Sequence, residues 1–72
     1  MASNVHTVPS PNGWLNKLNG QVVGPTYSLK ERAVAEGRRL AIDNRAEHTV
    51  HNEDGSIAYK NSYGNDPSNI RG

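Results

Sequence analysis

The chain has 72 residues, a formal net charge of +1, no cysteine and no phenylalanine. That length makes one domain, burying about 60% of the surface of its unfolded chain. The absence of cysteine excludes disulfides and thiolate metal sites and fits a reducing cytosol. The small net charge is not in itself a nucleic-acid signature.

Met1 to Ser3 are read as a disordered N-terminus, and residues 4–61 as the folded domain. Asn4 to Val8 has strand character, and Pro9-Ser10-Pro11-Asn12-Gly13 is a strongly punctuated turn. Trp14 to Leu18 reads as the returning strand. Asn19-Gly20 is a two-residue hairpin signal, and Gln21-Val22-Val23 is an optional third strand closed by Gly24-Pro25.

Ser28 to Arg45 is the segment with helical periodicity. Ser28 and Glu31 have the spacing of a capping box. At 100° per residue, Leu29, Ala33, Gly37, Leu40 and Ala41 share a face, with Val34 at its margin. A glycine in the middle of that face costs about 1 kcal/mol of helix propensity relative to Ala. It is explained by close approach of the helix to a sheet.

Glu47 to Asn52 reads as the next strand, Glu53-Asp54-Gly55 as a hairpin turn and Ser56 to Asn61 as its partner. From residue 62 to 72 no period survives, and the segment reads as an extended tail. Trp14, Leu15, Leu18, Leu29, Leu40, Ile57 and Tyr59 are the large residues expected to fill the core. His6-Thr7-Val8 and His48-Thr49-Val50 form a weak internal repeat at an offset of 42. These elements predict an α+β fold: a small antiparallel sheet of two hairpins, β-β-(β)-α-β-β, with one helix packed on one face.

His6-Thr7-Val8-Pro9, Gly13-Trp14, the helix carrying Ala33, Leu40 and Ala41, Asp54-Gly55 and the terminal Ser62-Tyr63-Gly64-Asn65-Asp66-Pro67 together resemble domain of unknown function 2188, a family of small bacterial proteins. The sequence departs from that family's pattern at Thr7 and Asn16, where apolar residues are expected, and at Gly37, where alanine is expected. The resemblance implies no activity and transfers no functional residue. A fainter likeness joins Asn19-Gly20-Gln21-Val22-Val23, Tyr27-Ser28 and the helix to the ββα unit of YegP-like proteins, which pair such units through their sheets.

Catalytic constellations are missing from this reading. His48 and His51, three apart on a strand, point to opposite faces. His6 could meet His48 if their strands are neighbours, but a zinc site normally wants four ligands. Neither a nucleophile elbow nor a phosphate-cradling loop is present. The expectation is therefore no enzyme, no cofactor, no metal and no evident small-molecule substrate. With no apolar run long enough to span a bilayer and no signal peptide in view, the expected setting is cytoplasmic, away from membranes.

Two functional readings follow. The first is a non-enzymatic interaction module that pairs with a second copy through its sheet edges. The alternative is a weak nucleic-acid binder using the basic helix, whose Lys30, Arg38 and Arg45 are the candidate phosphate contacts.

Overall fold

The computed structural model describes residues 3–64. Five strands and one helix follow in the order β1 (Ser3–Ser10), β2 (Gly13–Leu18), β3 (Gln21–Tyr27), α1 (Lys30–Asp43), β4 (Ala46–His51) and β5 (Ile57–Ser62). The strands form one sheet in the spatial order β3-β2-β1-β4-β5. The α+β class and the single helix match the reading of the sequence.

One feature of the sheet corrects it. β1 runs parallel to β4, while β1–β2, β2–β3 and β4–β5 are antiparallel, so the sheet is mixed. The full-length third strand is the physical reason. In an antiparallel meander β3 points the same way as β1. A helix that crosses back over the sheet then delivers β4 in that same direction, and it docks beside β1. With only two strands before the helix, β4 would meet β1 antiparallel.

The turns are built as their residues dictate. Asn19 (φ 51°) and Gly20 (φ 88°) both adopt left-handed backbone between β2 and β3. Gly13, at φ 140°, lies so close to β3 that a Cβ there would meet the carbonyl of Tyr27.

The helix lies on the sheet through Ala33, Gly37 and Ala41, which are all buried. Below it are Val5 and Thr7 from β1, Trp14 and Asn16 from β2, and His48 and Val50 from β4. Leu18, Leu40 and Tyr63 pack at the margin of the Val5–Ala41–Ala46 cluster.

Several expected core residues are elsewhere. Leu29 is the N-cap rather than a core residue and is 55% exposed; Ile57 and Tyr59 are 57% and 47% exposed. Leu29 precedes the first turn that faces the sheet. Ile57 and Tyr59 belong to β5, an edge strand all of whose residues are exposed. The capping box is absent as well, because the helix begins one residue later than Ser28 would cap and no side chain caps it. Arg45 lies beyond the C-cap Asn44, in left-handed backbone at φ 51°.

β5 continues through Ser62, and the Tyr63 amide donates to the Ala46 carbonyl at 3.1 Å. The remainder of the expected tail, and Met1 and Ala2 of the expected N-terminal segment, lie outside the described residues.

Candidate functional site

Cross-strand partners share a face of a sheet, and so do residues two apart on one strand. The registers therefore place Val22, Lys17, His6, Thr49 and Lys60 in one row across all five strands. This row lies on the face opposite the helix. Val8 and Leu15, a cross-strand pair, lie on that face too, as does Glu47, two residues before Thr49. Among the described residues, no helix or strand covers this face.

His6 and His51 meet there. The Nδ1 atom of His6 is 2.8 Å from Nε2 of His51, with ring centroids 5.1 Å apart. The Nδ1 atom of His51 is 3.0 Å from the Gly55 carbonyl oxygen. A carbonyl only accepts, so His51 Nδ1 carries the hydrogen and Nε2 of the neutral ring accepts. His6 Nδ1–H therefore donates to His51, and a directed chain runs from β1 to the β4–β5 turn. Burial holds His6 below the ordinary histidine range, helped by the charges of His51, Lys60 and Lys17 and opposed by Glu47.

That turn is stiffened by its own hydrogen bonds. Asn52 donates its amide to the Ser56 carbonyl at 2.7 Å, and Gly55 donates to the Asn52 carbonyl at 2.9 Å. Asp54 accepts from the Ser56 hydroxyl and amide, which holds its carboxyl below the usual range.

A second polar cluster lies on the helix side. The Thr7 hydroxyl is 2.6 Å from Asn16 Oδ1 and 2.8 Å from His48 Nε2. Asn16 Nδ2 donates to the Ala33 carbonyl at 3.0 Å. The amide orientation leaves Oδ1 facing Thr7, which must donate to it. The same hydroxyl then accepts from His48, whose Nε2 carries hydrogen. Burial is the main cause of the lowered His48 pKa, with the charges of His6 and Arg38 adding to it. With Thr7, Asn16 and His48 all buried, this cluster is part of the core.

The three basic residues singled out in the sequence are not brought together. Lys30 lies at the first turn of α1, its Nζ 4.8 Å from the centroid of the Trp14 ring. Arg38 is exposed in mid-helix, and Arg45 is exposed past the helix end, so Arg45 is not part of the helix that carries the other two. A helix of this length spans about 21 Å between the ends that hold Lys30 and Arg45. Among the described residues, no three His, Cys, Asp or Glu side chains converge as a metal cluster.

His48 and His51 do face opposite sides of the sheet, as their spacing requires. The partner of His6 is His51 rather than His48. The parallel register pairs His6 with Thr49, an offset of 43, whereas the sequence repeat has an offset of 42. That one-residue difference puts the repeat's matching residues on opposite faces. The His6–His51 contact follows from the parallel register, which pattern reading did not supply.

The chain matches the family described as "Uncharacterized protein conserved in bacteria (DUF2188)" over residues 5–63. It belongs to that family of small bacterial proteins, for which no activity is described. No curated protein and no solved structure matched the chain, and the YegP-like likeness is not shown. Among the described residues, no helix is long and apolar enough to cross a membrane.

Proposed function

We propose that this chain is a small non-enzymatic interaction module that pairs with a second copy of itself by strand addition at the outer edge of β5. The observation that carries this reading is the state of that strand. β5 is last in the sheet order, and all six of its residues, including Ile57 and Tyr59, are exposed. It holds no proline, and Lys60 is its one charged residue. Unpaired edge amides with apolar side chains beside them are a template for another strand. At the other edge, β3 contains Gly24 and Pro25, with Gly24 at φ 79°, beside a register shift in its pairing with β2. That makes β3 the poorer template.

An antiparallel β5–β5 contact about a two-fold axis would join two five-stranded sheets into one. It would also enlarge a core that has few large residues. A cytoplasmic setting fits the absence of cysteine. Sedimentation equilibrium tests the reading: the apparent mass should rise above the 7.8 kDa of one chain as concentration increases. An Ile57→Lys plus Tyr59→Lys variant should remain at one chain. A wild-type chain that stays at one-chain mass up to high micromolar concentration contradicts the proposal.

The second reading rests on the exposed Arg38 and Arg45 with Lys30 as weak phosphate contacts. Titration with short oligonucleotides at low salt tests it. Binding that survives Arg38→Ala plus Arg45→Ala unchanged removes these residues from the interface.

A further inference from the structure

His6 and His51 stand on the neighbouring strands β1 and β4; His6 pairs with Thr49, and His51 lies at the register shift where β4 meets Ile57 of β5. Their facing nitrogens, His6 Nδ1 and His51 Nε2, are 2.8 Å apart. That separation is the hydrogen bond between the two rings; one ion can take its place when both rings turn so that their lone pairs meet at it, at about 2.0 Å from each nitrogen. Imidazole ligands suit copper(II) and nickel(II), and copper(II) stands highest in the affinity order of the first-row divalent ions.

The environment of His51 is that of a ligand. A metal-bound histidine usually donates its second ring N–H to a carbonyl or carboxylate, which fixes the tautomer and aims the other nitrogen at the ion. His51 donates Nδ1–H to the Gly55 carbonyl, and Gly55 is itself held by its amide bond to the Asn52 carbonyl. The lone pair on His51 Nε2 is thereby directed at His6.

We propose that His6 Nδ1 and His51 Nε2 form a two-histidine chelate for a divalent transition-metal ion of the copper and nickel class, on the sheet face opposite the helix. Two protein nitrogens hold the ion and water completes its coordination. On binding, His6 loses the Nδ1 hydrogen to water and takes one up at Nε2, so the ring stays neutral. Two metal–nitrogen bonds then replace the histidine–histidine hydrogen bond, and each ring tips towards the ion. Lys17 and Lys60, on either side in the same row, oppose a dication, and Glu47 favours it. Lys60 is exposed and Lys17 and Glu47 are half-buried, so water partly screens these charges.

Copper(II) chloride added to the full chain is the probe, because copper binds such ligands most tightly of the first-row divalent ions. Electron paramagnetic resonance at one ion per chain should show two equatorial imidazole nitrogens. His6→Ala and His51→Ala should each weaken copper binding by about 100-fold or more, beyond the usual effect of losing an outer-sphere partner. Lys17→Ala should bind at least as tightly as the parent. A spectrum with one coordinated nitrogen or none, or alanine variants that bind as well as the parent, overturns the proposal. The spectrum of the unmodified chain decides the matter even if a variant fails to fold.

Discussion

Thr7 and His48, on neighbouring parallel strands, share a 2.8 Å hydrogen bond directly beneath the only glycine of the helix. With Asn16 they form a buried polar cluster at the positions where the helix comes closest to the sheet. Thr7 and Asn16, where the resemblance implies apolar residues, lie in this cluster, and Gly37, where it implies alanine, lies over it. A Cβ on Gly37 would fall 2.5 Å from Asn16 Oδ1, 2.6 Å from Thr7 Oγ1 and 2.7 Å from His48 Nε2.

Gly37→Ala should therefore destabilise the fold. The gain in helix propensity, about 1 kcal/mol, is outweighed by crowding of three buried polar groups that hold one another in place. Overpacking usually costs about 1–3 kcal/mol, so after the propensity gain the expected net loss is up to about 2 kcal/mol. Urea denaturation checks it; a more stable variant would show that the helix can lift off the sheet at little expense.

Thr7→Val should also destabilise, by a different route. The hydroxyl satisfies Asn16 Oδ1 as donor and His48 Nε2–H as acceptor. Removing it strands both groups in the core, costing about 1–3 kcal/mol for each. Thr7→Ser keeps the hydroxyl and should lose much less. A Thr7→Ser loss as large as that of Thr7→Val would contradict assigning the loss to the hydroxyl.

Acidification should weaken the fold below the ordinary histidine pKa of 6.5. Burial lowers the folded-state pKa of His48, and His6 shifts the same way. Above 6.5 both rings are neutral in the folded and unfolded chains, so no stability depends on pH there. As pH falls through 6.5 the unfolded chain takes up protons that the folded chain does not, and stability declines until the lowered folded-state values are reached. Denaturation midpoints across that window check the sign; stability rising on acidification would contradict it.

The start of the helix offers a stabilising change. Leu29 occupies the N-cap with no side-chain cap and its leucine side chain exposed. Leu29→Asp supplies an acceptor for a first-turn amide and a negative charge at the positive end of the helix dipole. The expected gain is about 0.5–2 kcal/mol, read as a raised thermal midpoint. Ser28→Ala, which removes no cap, should leave that midpoint nearly unchanged.

The elements were legible in the sequence because turn chemistry and helical periodicity are local. Asn19-Gly20 and Asp54-Gly55 marked the hairpins, and the spacing of Ala33, Gly37 and Ala41 marked the buried stripe. The sense of the sheet was not legible, since it turned on whether Gln21 to Tyr27 formed a complete strand across Gly24-Pro25. Residue facing failed where hydrophobicity and burial part company. Ile57 and Tyr59 are apolar but lie on an edge, on either side of the register shift between Val50, which pairs with Tyr59, and His51, which pairs with Ile57. Thr7, Asn16 and His48 are polar but buried, because each satisfies another. The His6–His51 pair escaped notice for a third reason: it exists only through the parallel β1–β4 register.

Amide hydrogen exchange along β5, followed as a function of protein concentration, is the most direct test of self-pairing at that edge. Alternate amides of β5 bond to β4, and the others point away from the sheet. The outward set should gain protection as concentration rises, in step with the apparent mass. Outward amides that exchange at unprotected rates at every concentration, while the chain remains single, would contradict the account.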